Sequence, residues 1–99
     1  MVKEINSAEF KANVENSTGF VFVDFYASWC GPCRMLAPIM EDISSNNVVY
    51  KMNVDDEEEI AAKYGIMSIP CVILFKDGKE FSRSIGLKPK EEILNMIKG

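Results

Sequence analysis

A nearly unbroken apolar run at residues 20–27, FVFVDFYA, constrains the fold of this chain more than any other stretch. A strand with one solvated face alternates apolar and polar residues, whereas this run is apolar on both faces. It therefore predicts a central strand that is covered on both sides by helices. Only Asp24 interrupts the run, and an ionised carboxylate is costly to bury without a partner.

Shorter signals place the remaining elements around this strand. A second apolar run, VVYKMNVD at residues 48–55, predicts another buried strand. Asp77-Gly78 lies between two further strand patterns and is a strong signal for a tight antiparallel hairpin. The order β-α-β-α-β-α-β-β-α predicts an α/β fold, in which a mixed sheet has helices on both faces. Helices are predicted after a cap at Asn6 or Ser7, from Cys33 to Ser44, before Gly65, and from Lys88 to Lys98.

Composition narrows the class of protein. The chain has 99 residues, of which 47% are hydrophobic, and no linker marks a boundary, so we expect a single domain over residues 1–99. The formal charge of -4 provides no basic surface for nucleic acid or an anionic membrane. No apolar run approaches the ~20 residues that span a bilayer, and the N-terminus lacks the pattern of a secretory signal. We therefore expect a cytoplasmic protein that binds neither nucleic acid nor membrane.

Two of the three cysteines directly follow the central strand, in the stretch DFYASWCGPCRMLAP. An odd number of cysteines at irregular spacing indicates a reducing compartment rather than a disulfide-stapled scaffold. At the start of a helix, free backbone N–H groups and the helix dipole favour the reactive thiolate of Cys30. Gly31 permits a tight turn and the close approach of a partner backbone, and Pro32 suits an early helical position. The spacing predicts an exposed attacking Cys30 and a shielded Cys33 that can bond to it.

A close cysteine pair can also be half of a structural zinc site. Tetrahedral zinc needs four ligands, and this chain has no histidine and only one other cysteine, Cys71. The composition therefore favours redox chemistry over metal binding. We expect neither a metal nor a bound cofactor.

The motif WCGPC resembles that of the thioredoxin family, and the similarity runs over essentially the whole chain. The other segments that carry it are VDFYAS before the motif, Pro38 after it, and then KMNVD, YGIMSIP and KDG. The resemblance implies the thioredoxin fold, a mixed sheet of about five strands flanked by four helices. It also implies a monomeric protein-disulfide reductase whose Cys30–Cys33 pair cycles between dithiol and disulfide. Its partners would be disulfide-containing substrate proteins and a thioredoxin reductase.

Two charged residues are expected to support the cysteines. Burial should raise the pKa of Asp24, which suits a group that takes a proton from Cys33 through a water, and the family has an aspartate at this place. The alternative is a solvated acid at the end of a strand. Lys51 matches the family's lysine and would lie near Asp24 and moderate the shift of its pKa, unless it points to solvent.

A shallow apolar groove around the motif is the expected substrate site. Trp29 stands beside Cys30 and is expected to be a surface flap rather than a core residue. Pro70 matches the family's cis-proline, which would lie against the disulfide and leave the Ile69 backbone free to pair with an extended substrate. The residues expected to contact substrate are Trp29, Gly31, Pro32, Gly65, Ile66, Ile69, Pro70 and Gly86.

Cys71 departs from the family, which usually has threonine after the cis-proline. A cysteine at a buried strand position is expected to be a small, inert core residue. The alternative is a third sulfur close to the redox pair, which could exchange with it. We expect the free, buried thiol.

Two other functions remain open on the sequence alone. The groove could bind a partner protein independently of redox state, as an interaction module. A glutathione-dependent reductase of the glutaredoxin type is the other, but Gly31-Pro32 stands in place of that family's usual Pro-Tyr pair. A thiol–disulfide oxidoreductase accounts for every feature described above.

Overall fold

The computed structural model describes all 99 residues, and its five strands and four helices follow the predicted order. None of these helices is both long and apolar enough to cross a membrane. The strands are β1 (Lys3–Glu4), β2 (Phe20–Tyr26), β3 (Val49–Asn53), β4 (Cys71–Lys76) and β5 (Lys79–Ile85). The helices are α1 (Ser7–Phe10, continued by a π-helical turn, Lys11–Glu15), α2 (Gly31–Ile43), α3 (Glu58–Lys63) and α4 (Lys90–Leu94, continued by a 3-10 turn, Asn95–Lys98).

The strands form one mixed sheet in the order β1-β3-β2-β4-β5, with β2 at its centre. β2 runs parallel to β3 and antiparallel to β4. β1 extends the parallel side, while β5 closes the antiparallel hairpin with β4. The prediction from the apolar run is confirmed, because residues 21–25 of β2 are all buried between two layers of helices.

Alternation along β2 divides the core into two layers. Val21, Val23 and Phe25 point to the side covered by α1 and α3, which we call the α1–α3 face. Phe22 points to the opposite side, covered by α2 and α4, which we call the α2–α4 face. Because Asp24 follows the alternation of Phe22, its carboxyl lies on the α2–α4 face.

Local signals explain several boundaries. Asn6 caps α1, since its side chain accepts a hydrogen bond from the backbone N–H of Glu9 while the Glu9 carboxylate accepts one from that of Asn6. In the predicted hairpin, Asp77 and Gly78 have φ angles of 52° and 84°, the left-handed values that a two-residue turn requires. A Cβ at Gly78 would also collide with the backbone carbonyl of Glu15, so glycine lets this turn pack against the end of α1.

Two helix boundaries differ from the prediction. α2 begins at Gly31 rather than Cys33, because Cys30 occupies the N-cap position and the motif itself forms the first turn. The C-terminal helix begins at Lys90, since Pro89 has the extended backbone of an N-cap residue. Its last turn tightens to a 3-10 helix, as is common at helix ends.

Candidate active site

The cysteine motif lies where the chain leaves β2 and enters α2. Cys30 is the N-cap residue of α2, and the backbone N–H of Cys33 donates to its Sγ at 3.2 Å. Gly31 and Pro32 form the first turn, with Pro32 exposed. The two cysteines form a disulfide, and their Cα atoms are 5.2 Å apart. After reduction, the unpaired N–H groups and the positive end of the helix dipole favour a thiolate at Cys30.

The exposure predicted for Cys30 is wrong. Cys30 is 5% exposed and Cys33 is 3% exposed, so both sulfurs are buried in this disulfide form. The cause is tertiary, because Ala27 and Ile69 pack against the pair, and the Ile69 carbonyl oxygen lies 3.9 Å from Cys30 Sγ. The two cysteines therefore differ less in burial than their spacing indicates.

Asp24 is buried behind the motif, as predicted. The residue is 4% exposed, and its Oδ1 atom has no hydrogen-bond partner in the protein. Burial raises its pKa from 3.8 to about 7, because the charged form loses its hydration. A carboxyl with this pKa takes up and releases a proton near neutral pH.

Two cavities meet at Asp24. The larger, of about 280 Å³, lies between Asp24 and Cys33, and we call it the front cavity. The smaller, of about 30 Å³, lies against Val2 and Glu41, and we call it the rear cavity. Lys51 borders both. Each cavity is large enough for at least one water molecule, which needs roughly 10–15 Å³ and polar partners.

Lys51 lies beside Asp24, as the resemblance implied. β2 and β3 pair in parallel, with Asp24 opposite Lys51 in the register. The positive charge of Lys51 lowers the pKa of Asp24 and offsets part of the effect of burial. Lys51 Nζ also lies 5.6 Å from the centre of the Tyr26 ring, within the range of a cation–π contact. The Tyr26 hydroxyl donates to Glu4 at 2.6 Å, so the ring that Lys51 contacts is itself held by a carboxylate.

The Ile69–Pro70 segment closes the site from the other side. Its peptide bond is cis, Pro70 is buried, and Ile69 packs against the cysteine pair. The backbone N–H of Gly86 donates to the Pro70 carbonyl at 2.8 Å, which brings the end of β5 to the same edge. Gly65 is exposed, whereas Ile66 is half-buried and packs against the core of the α1–α3 face. Ile69 thus contacts the motif directly. Pro70 is the next residue in the chain, and Gly86 is joined to Pro70 by the backbone hydrogen bond.

Trp29 is 68% exposed, as expected for a surface flap. The sequence did not indicate what holds it: the indole Nε1–H donates to Asp55 Oδ2 at 2.8 Å. Asp55 lies two residues beyond the end of β3, and a carboxylate near the end of the strand that neighbours β2 is the one signal that could have identified it. Arg34 was also missed, and its guanidinium donates to the Ser28 carbonyl at 2.9 Å and lies beside Gly31.

Cys71 is a free thiol, 1% exposed, in the core of the α1–α3 face, which confirms the expected buried position. It lies opposite Phe25 in the register of β2 and β4, so its side chain points away from Asp24 and α2. Burial raises the pKa of its thiol, which disfavours the reactive thiolate. The fold brings together no group of three His, Cys, Asp or Glu side chains that could hold a metal ion.

Comparison with known proteins gives the family of the chain. The family model for thioredoxin matches residues 1–99. The chain belongs to the thioredoxin family. It is 44% identical over 100 residues to the thioredoxin of Chlamydia caviae, an alignment that covers 98% of this chain and 96% of the relative. It is 45% identical over 101 residues to the thioredoxin of Listeria monocytogenes, with the same coverage. It is 38% identical over 97 residues to the thioredoxin of Bacillus subtilis, covering 94% of this chain and 93% of the relative.

Family membership and the Cys30–Cys33 pair together establish the activity. The chain is a thiol–disulfide oxidoreductase that acts on protein disulfides, and its architecture is the thioredoxin fold that the resemblance implied. A member of this family exchanges electrons with redox partners through that pair.

Proposed function

We propose that Cys30 is the nucleophile of this oxidoreductase and that Cys33 resolves the intermediate. The observation that carries the proposal is the N-cap position of Cys30, with the Cys33 N–H 3.2 Å from its sulfur. The Cys30 thiolate attacks one sulfur of a substrate disulfide, and the other substrate sulfur leaves with the electron pair and takes up a proton. Cys33 then attacks Cys30, the Cys30–Cys33 bond forms, and the remaining substrate sulfur leaves as a thiolate that is protonated in water.

Asp24 is the proposed base that deprotonates Cys33 in the second step. Both groups border the front cavity, which has room for a bridging water. A pKa of about 7 suits proton transfer near neutral pH, because a general base works best when its pKa lies near the ambient pH. Lys51, opposite Asp24 in the sheet, keeps part of this carboxyl ionised by lowering its pKa.

The proposed substrate site is the apolar edge around the disulfide. Trp29 offers an exposed ring that Asp55 holds in place, and the Ile69 backbone next to the sulfurs suits pairing with an extended substrate segment. Gly31 leaves room for a substrate backbone at the motif. The remaining residues proposed to border the substrate are Pro32, Gly65, Ile66, Pro70 and Gly86.

The proposed partners are disulfide-containing proteins as substrates and a thioredoxin reductase as the electron donor. The identity of 44–45% to thioredoxins of Chlamydia caviae and Listeria monocytogenes and the presence of the Cys30–Cys33 pair support this assignment. We further propose that the chain works as a monomer, as one thioredoxin domain over residues 1–99, and in the cytoplasm, where a donor of this kind keeps thiols reduced.

An insulin-reduction assay tests the proposal. The protein is supplied first with dithiothreitol and then with NADPH plus a bacterial thioredoxin reductase, and precipitation of the reduced insulin B chain is followed. We expect catalysis under both conditions and none from a Cys30→Ser/Cys33→Ser variant.

Two outcomes would point to the other functions. Turnover with glutathione alone, and none with the reductase, would indicate a glutaredoxin-type enzyme. Inactivity of the parent protein, combined with partner binding that the double serine variant retains, would indicate a redox-independent interaction module.

A further inference from the structure

Two cavities border the buried Asp24, and only the front cavity is lined by a cysteine. Its Oδ1 atom has no partner in the protein, although nearly all buried polar atoms have one. The rear cavity, of about 30 Å³, lies against this carboxyl and is large enough for a bridging water. Glu41 contributes the carboxylate of that cavity, and its Oε1 is held by the backbone N–H of Val2 at 3.2 Å.

The front cavity is poorly placed for proton exchange during turnover. It is bordered by Cys33, the last residue of the motif, and by Ser28, which precedes the motif, so we expect a substrate bonded to Cys30 to lie over this side of the protein. Glu41 is eight residues beyond Cys33 on α2, which places it about 12 Å further along the helix axis. Glu41 is itself exposed, so we expect a substrate that covers the motif to leave the rear cavity open to solvent.

Charge also distinguishes the two routes. Arg34 and Lys51 both line the front cavity, and two cations oppose the passage of a proton, which carries positive charge. The rear cavity has Lys51 as well, but there Glu41 supplies a carboxylate that attracts a proton. The titratable groups that face Asp24 through the two cavities are Lys51 from β3, Tyr26 from β2, and Cys33, Arg34 and Glu41 from α2.

We propose that Glu41 and the rear cavity form the route by which Asp24 exchanges its proton with solvent while Cys30 is bonded to a substrate. The inference rests on the proposed role of Asp24 as the base for Cys33. When the mixed disulfide forms near neutral pH, part of the Asp24 population carries a proton and cannot accept the one on Cys33. That proton passes through a water in the rear cavity to the Glu41 carboxylate and from there to bulk water or buffer. The ionised Asp24 then takes the Cys33 proton, and the Cys33 thiolate displaces the substrate.

The test compares Glu41→Gln with Asp42→Asn. Glutamine keeps the size of the side chain and an oxygen that accepts from Val2, but it cannot carry the proton. Asp42 is the neighbouring residue on α2, lies outside both cavities and pairs with Lys90 at the surface, so Asp42→Asn removes the same charge as a matched control.

The first measurement does not depend on catalysis. Cys33→Ser is joined through Cys30 to a short peptide that carries one cysteine, and the protonation rate of Asp24 is measured near pH 7 by relaxation dispersion of its carboxyl carbon. We expect Glu41→Gln to slow this rate by about fivefold or more in the complex. Added imidazole, a small proton carrier, should restore the rate. The effect should be smaller without the peptide, because the front cavity is then open.

The second measurement is the rate at which Cys33 resolves a preformed mixed disulfide at pH 7. We expect it to fall in Glu41→Gln at low buffer concentration and to equal that of the parent in Asp42→Asn. Equal protonation rates for Glu41→Gln and Asp42→Asn in the complex would overturn the proposal, and so would a loss in Glu41→Gln that imidazole does not restore. Failure of Cys33→Ser to form the mixed disulfide would instead contradict the proposed roles of the cysteines.

Discussion

Asp24 and Cys71 are neighbours in the sheet that point in opposite directions. β2 and β4 pair with Phe25 opposite Cys71 and Asp24 opposite Val72, so the two side chains lie on different faces. Both are almost completely buried, and burial raises the pKa of both. Asp24 nevertheless borders two cavities and the charge of Lys51, whereas none of the four cavities in the protein reaches Cys71.

This difference shows that burial alone does not make a titratable group useful for chemistry. A group takes part in proton transfer only if water or a reactant can reach it, and the α2–α4 face leaves that space beside Asp24. The α1–α3 face is filled by aromatic rings, with Phe10 meeting Tyr64 and Phe75 edge to face at 5.6 and 5.5 Å. The thiol of Cys71 is therefore part of a packed layer.

The largest expected effect separates the cysteine pair from the third thiol. Cys30→Ser should abolish disulfide reduction, because Cys30 is the cysteine at the N-cap of α2, where the helix N-terminus favours the attacking thiolate. Cys33→Ser should accumulate a covalent mixed disulfide with substrate, since the resolving thiol is lost. Non-reducing electrophoresis of each variant with reduced and oxidised substrate checks both expectations. Trapping by the Cys30 variant would reverse the two roles.

Replacing Asp24 by Asn should stabilise the protein in a pH-dependent way. The folded pKa of about 7 lies above the unfolded value of 3.8, so the neutral carboxyl favours folding below about pH 4, and this contribution is lost as the pH rises to 7. The two values correspond to at most about 4 kcal/mol in the free energy of unfolding at pH 8.

Urea unfolding of Asp24→Asn and the parent at pH 4 and pH 8 measures this effect. We expect nearly equal stability at pH 4 and a more stable variant at pH 8, together with slower release of the mixed disulfide. Asp42→Asn, at an exposed site, is the control for the change in net charge. Equal stability of the variant and the parent at pH 8 would mean that Asp24 is solvated. Asp24 and Cys71 would then no longer be two buried groups whose pKa values are both raised by burial.

A smaller effect should follow from Lys51→Gln. The positive charge opposite Asp24 lowers the pKa of that carboxyl, so its removal should raise the pKa from about 7 to a higher value. Titration of the Asp24 carboxyl carbon by NMR measures the change, with Lys76→Gln, at the far end of β4, as the control. An unchanged pKa in Lys51→Gln would show that solvent screens this pair, and that burial alone sets the Asp24 environment.

The smallest expected effect is that of Cys71→Thr. Its side chain is buried without a role in the proposed chemistry, so reductase activity should stay close to that of the parent. The Cys71 thiol of the oxidised parent should resist alkylation until the protein is unfolded, because the thiolate is disfavoured and reagents cannot reach it. Mass spectrometry after alkylation measures this directly. A Cys71 disulfide in freshly oxidised protein, or a large loss of activity in the variant, would show that Cys71 takes part in the chemistry, and that both faces of the sheet carry reactive groups.

The features that depend on residues close together in the sequence were predictable from the sequence. The run at residues 20–27 predicted a central covered strand because it has no polar face. Asp77-Gly78 predicted the hairpin because few residues accept left-handed φ angles. The spacing of Cys30 and Cys33 placed both at the start of one helix, where a disulfide fits.

Only the tertiary structure decided what surrounds these residues, because contacts between distant segments leave no local pattern. Burial of Cys30 comes from Ile69, 39 positions away, and the position of the Trp29 ring comes from Asp55, 26 positions away. The rear cavity is bordered by Val2 and Glu41, which are also 39 positions apart and are joined by a hydrogen bond. Sheet register likewise placed Cys71 on the face away from the site, since a shift by one residue would turn its side chain toward Asp24.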